Sequence, residues 1–195
     1  MRVVMIGPPG AGKGTQSVRL AEYLEVPHLS TGELLRSAKN AGTELGKLVA
    51  PIMDVGGLVD DDLMVKLVKE RLANEDCLDG FLLDGFPRTV PQAEAFQVFL
   101  EESEQAINHV VHMQVDDEET TKRLIARFKD LENPREDDRP EAIPVRLKAY
   151  HSETSPLIEF YSQDQFEGVL KPIDGIGTME EVFQRIVHAI TFSPS

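Results

Sequence analysis

Six residues into the chain an apolar run empties into glycine. Met1-Arg-Val-Val-Met-Ile6 leads directly to Gly7-Pro-Pro-Gly-Ala-Gly-Lys-Gly-Thr15, and a helix-like apolar pattern follows from Gln16 to Leu24. No other stretch restricts the fold as much. Strand, glycine-rich turn with lysine, then helix is the arrangement that cradles phosphate, through backbone N–H groups and the positive end of a helix dipole. Gly7, Gly12 and Lys13 fit the G-x-x-x-x-G-K spacing, but Gly14 comes next and the hydroxyl arrives one place late, at Thr15. A chance glycine-rich turn does not account for a Val/Ile run immediately before it and an amphipathic segment immediately after it. In this reading Lys13 reaches the β- and γ-phosphates and Thr15 lies near Mg²⁺. The Lys-Gly-Thr order points away from generic P-loop ATPases and towards one branch of small kinases.

The rest of the chain alternates in the same way. Val26 to Leu29 is a second strand. Ser30-Thr-Gly-Glu33 reads as a capping box opening a helix that closes near Gly42. A further helix spans about Thr43 to Val55 and stops at Gly56-Gly57. Asp60-Asp-Asp62 heads an apolar-periodic segment and is taken as a helix cap and dipole partner, not a metal site. Phe81 to Asp84 is a buried strand ending in a carboxylate, and Pro91 opens a helix. His109 to Val115 is the fourth strand, and Asp116 caps a helix carrying Lys122, Arg123 and Arg127. Phe128 to Asp138 is polar and irregular, a loop or lid. A helix from about Ala142 to Tyr161, a fifth strand from Val169 to Asp174, a last helix from Glu180 to Ile190 and a fraying end complete the chain. Strands alternating with helices predict an α/β protein, a doubly wound five-stranded parallel sheet, with residues 30–59 as a helical excursion.

Composition narrows the partners. With 195 residues, 41% hydrophobic and 28% charged, the chain suits one compact domain. A net charge of −14 argues against nucleic acid or an anionic membrane surface. No apolar run approaches membrane-spanning length and no targeting pattern opens the chain, so a cytoplasmic protein is expected. Cys77 is the single cysteine, and His28, His109, His112, His151 and His188 are scattered, so neither a disulfide nor a zinc site is expected.

In so acidic a chain the cations near turns carry information. Arg36, Arg88, Arg123, Arg127, Arg135 and Arg146 each fall just beyond a strand end or beside a glycine loop. One such arginine is usually a solvated surface charge; six on the rim where doubly wound sheets bind ligands form a set. Guanidinium forks neutralise phosphate oxygens bidentately, as phosphoryl transfer requires. An acceptor that is itself a phosphate needs no catalytic base. Asp84, at the carboxyl end of a strand beside the loop, fits a carboxylate that holds Mg²⁺ through water, where Asp-Gly alone would signal only a turn.

Together, Gly7 to Thr15, Ser30-Thr-Gly32 with Arg36, Asp84-Gly-Phe-Pro-Arg88 with Gln92, Arg135-Glu-Asp-Asp138 with Arg146, and Asp174-Gly175 resemble the adenylate kinases, over nearly the whole chain. The resemblance implies MgATP + AMP ⇌ 2 ADP in a monomer with a core (1–29, 60–127, 139–195), an AMP-binding insert (30–59) and a short lid (128–138) without zinc. It implies ATP binding by Gly10, Ala11, Gly12, Lys13, Gly14, Thr15, Arg123, Arg127 and Gly177. AMP falls to Thr31, Arg36, Gly57, Leu58, Val59, Gly85, Phe86, Pro87, Arg88, Gln92, Arg135 and Arg146. Lys13, Arg88, Arg127, Arg135 and Arg146 are the implied catalytic residues, and Thr15 and Asp84 the residues at Mg²⁺.

Thr31 and Gln92 favour AMP over UMP or CMP, because a hydroxyl and an amide can hydrogen-bond an adenine edge. The chain departs from the family pattern in a wider Arg127–Arg135 spacing and in Pro140 and Pro144, the latter expected to delay or kink the helix that follows. The alternatives are a UMP/CMP kinase, a kinase of small metabolites such as shikimate or gluconate, and a nucleotide-binding regulatory homologue. The last would lack Lys13, Asp84 or an arginine, or carry an Asn-Lys-x-Asp guanine motif, and this chain does neither.

Overall fold

The computed structural model describes residues 1–129 and 138–191. Five parallel strands form its single sheet: β1 (Arg2–Ile6), β2 (His28–Ser30), β3 (Phe81–Asp84), β4 (His109–Gln114) and β5 (Leu170–Asp174), in the order β2-β3-β1-β4-β5. After β1 the chain crosses to one side for β2 and β3, then returns past β1 to lay down β4 and β5 on the other. The order therefore reverses at β1, and the crevice beyond the carboxyl ends of the strands there is where such sheets bind ligands.

The sheet is buried on both faces, and its central strands are near-continuous apolar runs for that reason. Successive side chains alternate between two cores. Val4 and Ile6 of β1 and Phe81 and Leu83 of β3 point into one, together with Phe86, Phe96 and Leu100. Val3, Met5 and Leu82 point into the other, against Leu20, Ile186 and Ile190.

The helices are α1 (Lys13–Leu24), α2 (Thr31–Asn40), α3 (Glu44–Asp54), α4 (Asp61–Leu72), α5 (Val90–Glu102), α6 (Asp117–Phe128), α7 (Ile143–Ala149), α8 (Pro156–Phe160) and α9 (Met179–Thr191). Three begin at caps that the sequence predicts, Ser30, Asp60 and Asp116, and Thr43 and Thr89 cap two more; each of the five accepts a bond from the N–H three residues on. Three helical features differ from expectation. α1 starts at Lys13, before its apolar pattern begins, because Gly12 at φ 91° turns the chain directly into the helix. It ends at Leu24 as expected, with Glu25 after it in the left-handed conformation (φ 54°). Pro144 lies in the first turn of α7, where its missing N–H costs nothing, so the expected delay or kink does not arise. The long helix expected from Ala142 to Tyr161 is instead interrupted by a π-turn over Tyr150–Thr154. Pro156 cannot donate to the preceding turn, and Ser155 N–H reaches back five residues to Tyr150 O at 2.8 Å.

β5 also carries a proline, Pro172, opposite His112. An edge strand tolerates it, since one side of the strand has no ladder to complete. Among the described residues no helix is long and apolar enough to cross a membrane.

Candidate active site

One cleft of about 470 Å³ opens beyond the carboxyl ends of β1 and β3. Its first wall is the glycine loop. Gly10 has φ 85°, and a Cβ there would stand 2.8 Å from Thr120 O and 3.0 Å from Leu124 Cγ, so only glycine lets the loop lie flat on α6. Lys13 opens α1, and its Nζ donates to Gly7 O (2.6 Å) and Pro8 O (2.8 Å). Burial lowers the Lys13 pKa to about 8; Asp84 opposes the shift, while Arg88, Arg146 and Arg127 add to it. A lysine in this setting gains more from an incoming anion than a solvated one does. Ala11 is buried, and its N–H closes the loop by donating to Pro8 O at 3.2 Å.

The opposite wall comes from the β3–α5 turn and α2. Gly85, at φ 86°, is pinned by two groups: Thr31 Oγ1 donates to its carbonyl at 2.9 Å and Arg88 Nε at 2.8 Å. A Cβ on Gly85 would meet Thr31 Oγ1 at 2.7 Å. Gln92 is buried at 2% exposure, with both ends of its amide engaged. Its Oε1 accepts from Arg88 N–H at 2.7 Å, and its Nε2 donates to Asp61 Oδ1 at 2.7 Å. Leu35, Met53, Val59 and Met64 supply apolar surface beside these polar groups.

Between the walls stand the arginines. Arg36, Arg88, Arg127 and Arg146 all line the cleft. Arg36 folds back over Gly32, its Nη1 3.1 Å from where a Cβ would be. Asp138 is fully buried and binds two guanidiniums at once, Arg127 through Nε and Nη2 and Arg146 through Nη1. Burial alone would raise the Asp138 pKa, but Arg127 and Arg146 outweigh it and hold the carboxyl below its ordinary value. Arg146 also touches the α3–α4 connection: a Cβ on Gly56 would lie 2.8 Å from its Cγ.

Of the residues expected in the site, Gly10, Gly12, Lys13, Gly14 and Thr15 border the cleft, as do Thr31, Gly57, Leu58, Val59, Gly85, Pro87 and Gln92. Asp84 does too, with Oδ2 3.5 Å from where a Cβ on Gly14 would stand. His28 Nε2 lies 3.9 Å from the same Oδ2 and has no hydrogen-bond partner. The oxygen-only donors Asp84 and Thr15 fit a small hard cation such as Mg²⁺. Among the described residues no group of three or more His, Cys, Asp or Glu is placed to hold a metal.

Three expectations land elsewhere. Phe86 sends its ring into the core, edge-on to Phe96 at 5.5 Å, and can meet a ligand only through its backbone. Arg123 and Gly177 line a second, shallower cleft beside Glu119 and Ile176. Arg123 is tied there to Glu119 Oε1 (2.7 Å) and Gly175 O (3.2 Å). Arg135 and most of the lid at 128–138 fall outside the described residues. Neither Asp138 nor Asp61 stands out in the sequence: Asp138 closes the Arg135-Glu-Asp-Asp138 motif, and Asp61 lies inside an acidic cap, with its partners Thr89 and Gln92 28 and 31 residues away.

A lysine-bearing phosphate loop at the switch point of a doubly wound sheet, facing a polar and apolar recess across a set of arginines, defines a P-loop phosphotransferase. The family model described as adenylate kinase matches residues 5–166. An adenylate kinase of Stenotrophomonas maltophilia (strain K279a) is 44% identical over 190 residues, covering 97% of this chain and 99% of its own. One from Agrobacterium fabrum (strain C58) is 43% identical over 194 residues, covering 97% of each. This chain belongs to the adenylate kinase family, and it is an enzyme with that family's phosphotransferase activity.

Proposed function

We propose that the chain transfers the γ-phosphoryl group of MgATP to AMP, with the ATP phosphates on the glycine loop and AMP in the facing recess. The observation that carries this reading is one cleft bordered on one side by Lys13 and on the other by Thr31, Gly85 and Gln92. Thr31 gives its hydroxyl proton to Gly85 O, which leaves its oxygen lone pairs for an amino group on the ligand. The apolar residues Leu35, Met53 and Met64 suit a purine face.

In this mechanism the AMP phosphate is the nucleophile and needs no base. The backbone of the loop from Gly10 to Thr15 holds the donor phosphates, and Lys13 exchanges its loop carbonyls for phosphate oxygens. Arg88 and Arg36 orient the acceptor phosphate. Arg127 and Arg146, fixed in relation to each other by Asp138, meet the equatorial oxygens as charge develops there. Thr15 and Asp84 would hold Mg²⁺ bound with ATP, which would supply neutralisation of the phosphate charge. Residues 30–59 form the AMP-binding insert, 128–138 the lid, and the remainder the core; exclusion of water by the first two keeps ATP from hydrolysis.

The test is a coupled ADP assay across AMP, CMP, UMP and GMP, run on the parent protein and on Lys13→Met and Arg88→Ala. AMP should be preferred, and each variant should lose about 10²-fold or more in kcat/KM while keeping its melting transition. Near-full turnover in both variants, or UMP turnover equal to AMP, would overturn the assignment.

A further inference from the structure

The Gln92 amide has two hydrogen-bonding ends, and the protein decides which way round they sit. Arg88 N–H can only donate, so the atom facing it at 2.7 Å is the amide oxygen. Asp61 carries a carboxylate, so the atom facing it at 2.7 Å is the amide nitrogen. Asp61 is itself held, since Thr89 Oγ1 donates to its second oxygen at 2.8 Å. Thr89 in turn caps α5 by accepting from Gln92 N–H at 3.2 Å. The start of α4 is thus tied to the start of α5 through one carboxylate, and Gln92 cannot turn over. Reversal would set the amide oxygen against the Asp61 carboxylate and the amide NH₂ against Arg88 N–H.

What remains to offer the cleft is one lone pair on Oε1 and one N–H on Nε2. That pair complements the Watson–Crick edge of a 6-aminopurine, whose C6 amino group donates and whose N1 accepts. A 6-oxopurine presents the opposite pattern, an accepting O6 and a donating N1–H, and would need the amide reversed. The geometry points to Asp61 as a specificity-determining positioning residue: by fixing the Gln92 amide it excludes 6-oxopurine monophosphates from the acceptor site. Asp61 does not border the cleft, so it would act on the base only through Gln92. The inference rests on the proposed AMP site and on the expectation from the sequence that the Gln92 amide hydrogen-bonds the acceptor base.

The measurement is the ratio of kcat/KM for AMP to that for IMP. Asp61→Asn keeps size and shape but can present either a carbonyl or an NH₂ to Gln92. It should lower the ratio several-fold, because reversal of the buried amide is then opposed by Arg88 N–H alone and the oxopurine edge is less costly to meet. In a Gln92→Ala background the same substitution should leave the ratio unchanged. A ratio within about twofold of the parent in Asp61→Asn, or an equal drop in both backgrounds, overturns the inference and leaves Asp61 a packing residue. If Gln92→Ala by itself does not lower the ratio, the reading of Gln92 fails and this inference fails with it. If Gln92→Ala lowers it and Asp61→Asn does not, only the inference fails. A measurement on the parent protein covers the case in which Asp61→Asn does not fold. The side-chain amide signal of Gln92, identified by its loss in Gln92→Ala, should show one proton protected from solvent exchange in the ligand-free enzyme. Two freely exchanging protons would also overturn the assignment.

Discussion

Lys13 carries its charge where charge is costly. Burial brings its pKa from 10.5 to about 8, with three arginines adding to the shift and Asp84 resisting it. In the unfolded chain the group keeps its ordinary value. Between pH 8 and 10.5 the unfolded state therefore binds more protons, and the penalty that Lys13 places on folding is relieved as pH rises through that window. Function runs the other way, because phosphate binding needs the ammonium. Calorimetric affinity for ATP should hold at neutral pH and fall above pH 8, as the ligand-free lysine loses its proton. In Lys13→Met the affinity should be lower and should lack that alkaline limb. A limb of the same midpoint in the variant would assign it to another group. Asp138 makes the opposite case. Its carboxyl is buried, yet two guanidiniums hold it ionised, so it orders Arg127 and Arg146 without taking a proton at neutral pH.

At the scale of elements, local chemistry explains most starts and stops. Ser30, Asp60 and Asp116 are legible as caps because a cap and its partner are three residues apart. The π-turn at Tyr150–Thr154 was not legible as such, although Pro156 stands in the sequence, because a proline announces a break without saying how the chain accommodates it. The contact between the α3–α4 connection and α7 was equally hidden. Gly56, at φ 79°, brings its backbone against Arg146 Cγ and Ala142 O, 2.8 and 3.0 Å from where a Cβ would stand. Gly56→Val should cost about 1–3 kcal/mol in urea unfolding, from backbone strain and the displaced Arg146. Through Arg146 it should also lower kcat. Gly42, at φ 63° with nothing within 4 Å of a Cβ, is the control: Gly42→Ala should cost about 1 kcal/mol and leave kcat alone. Equal kcat losses at the two glycines would remove Arg146 from the explanation.

The whole molecule is one sheet between two separate cores, and that division has a measurable consequence. Leu83 belongs to the core with Phe86 and Phe96, and Ile186 to the core with Leu20 and Leu82. Leu83→Ala and Ile186→Ala should each destabilise by about 2–5 kcal/mol, and their costs should add within about 0.5 kcal/mol in the double variant. Coupling well beyond that would mean that the sheet transmits packing from one face to the other. What the sequence determined unaided is the part written over short distances. The apolar run, the glycine loop and the capping residues act on neighbours a few positions away, so they specified the strand–loop–helix start, the alternation of elements and the parallel sheet. The tertiary structure decided the partners. Which carboxylate would join Arg127 to Arg146, which pair of ends would fix the Gln92 amide, and that Arg123 and Gly177 would border a cleft of their own all depend on residues far apart in the chain. Directional hydrogen bonds and ion pairs form only once the sheet order has set their distances and angles, and no spacing along the sequence encodes those.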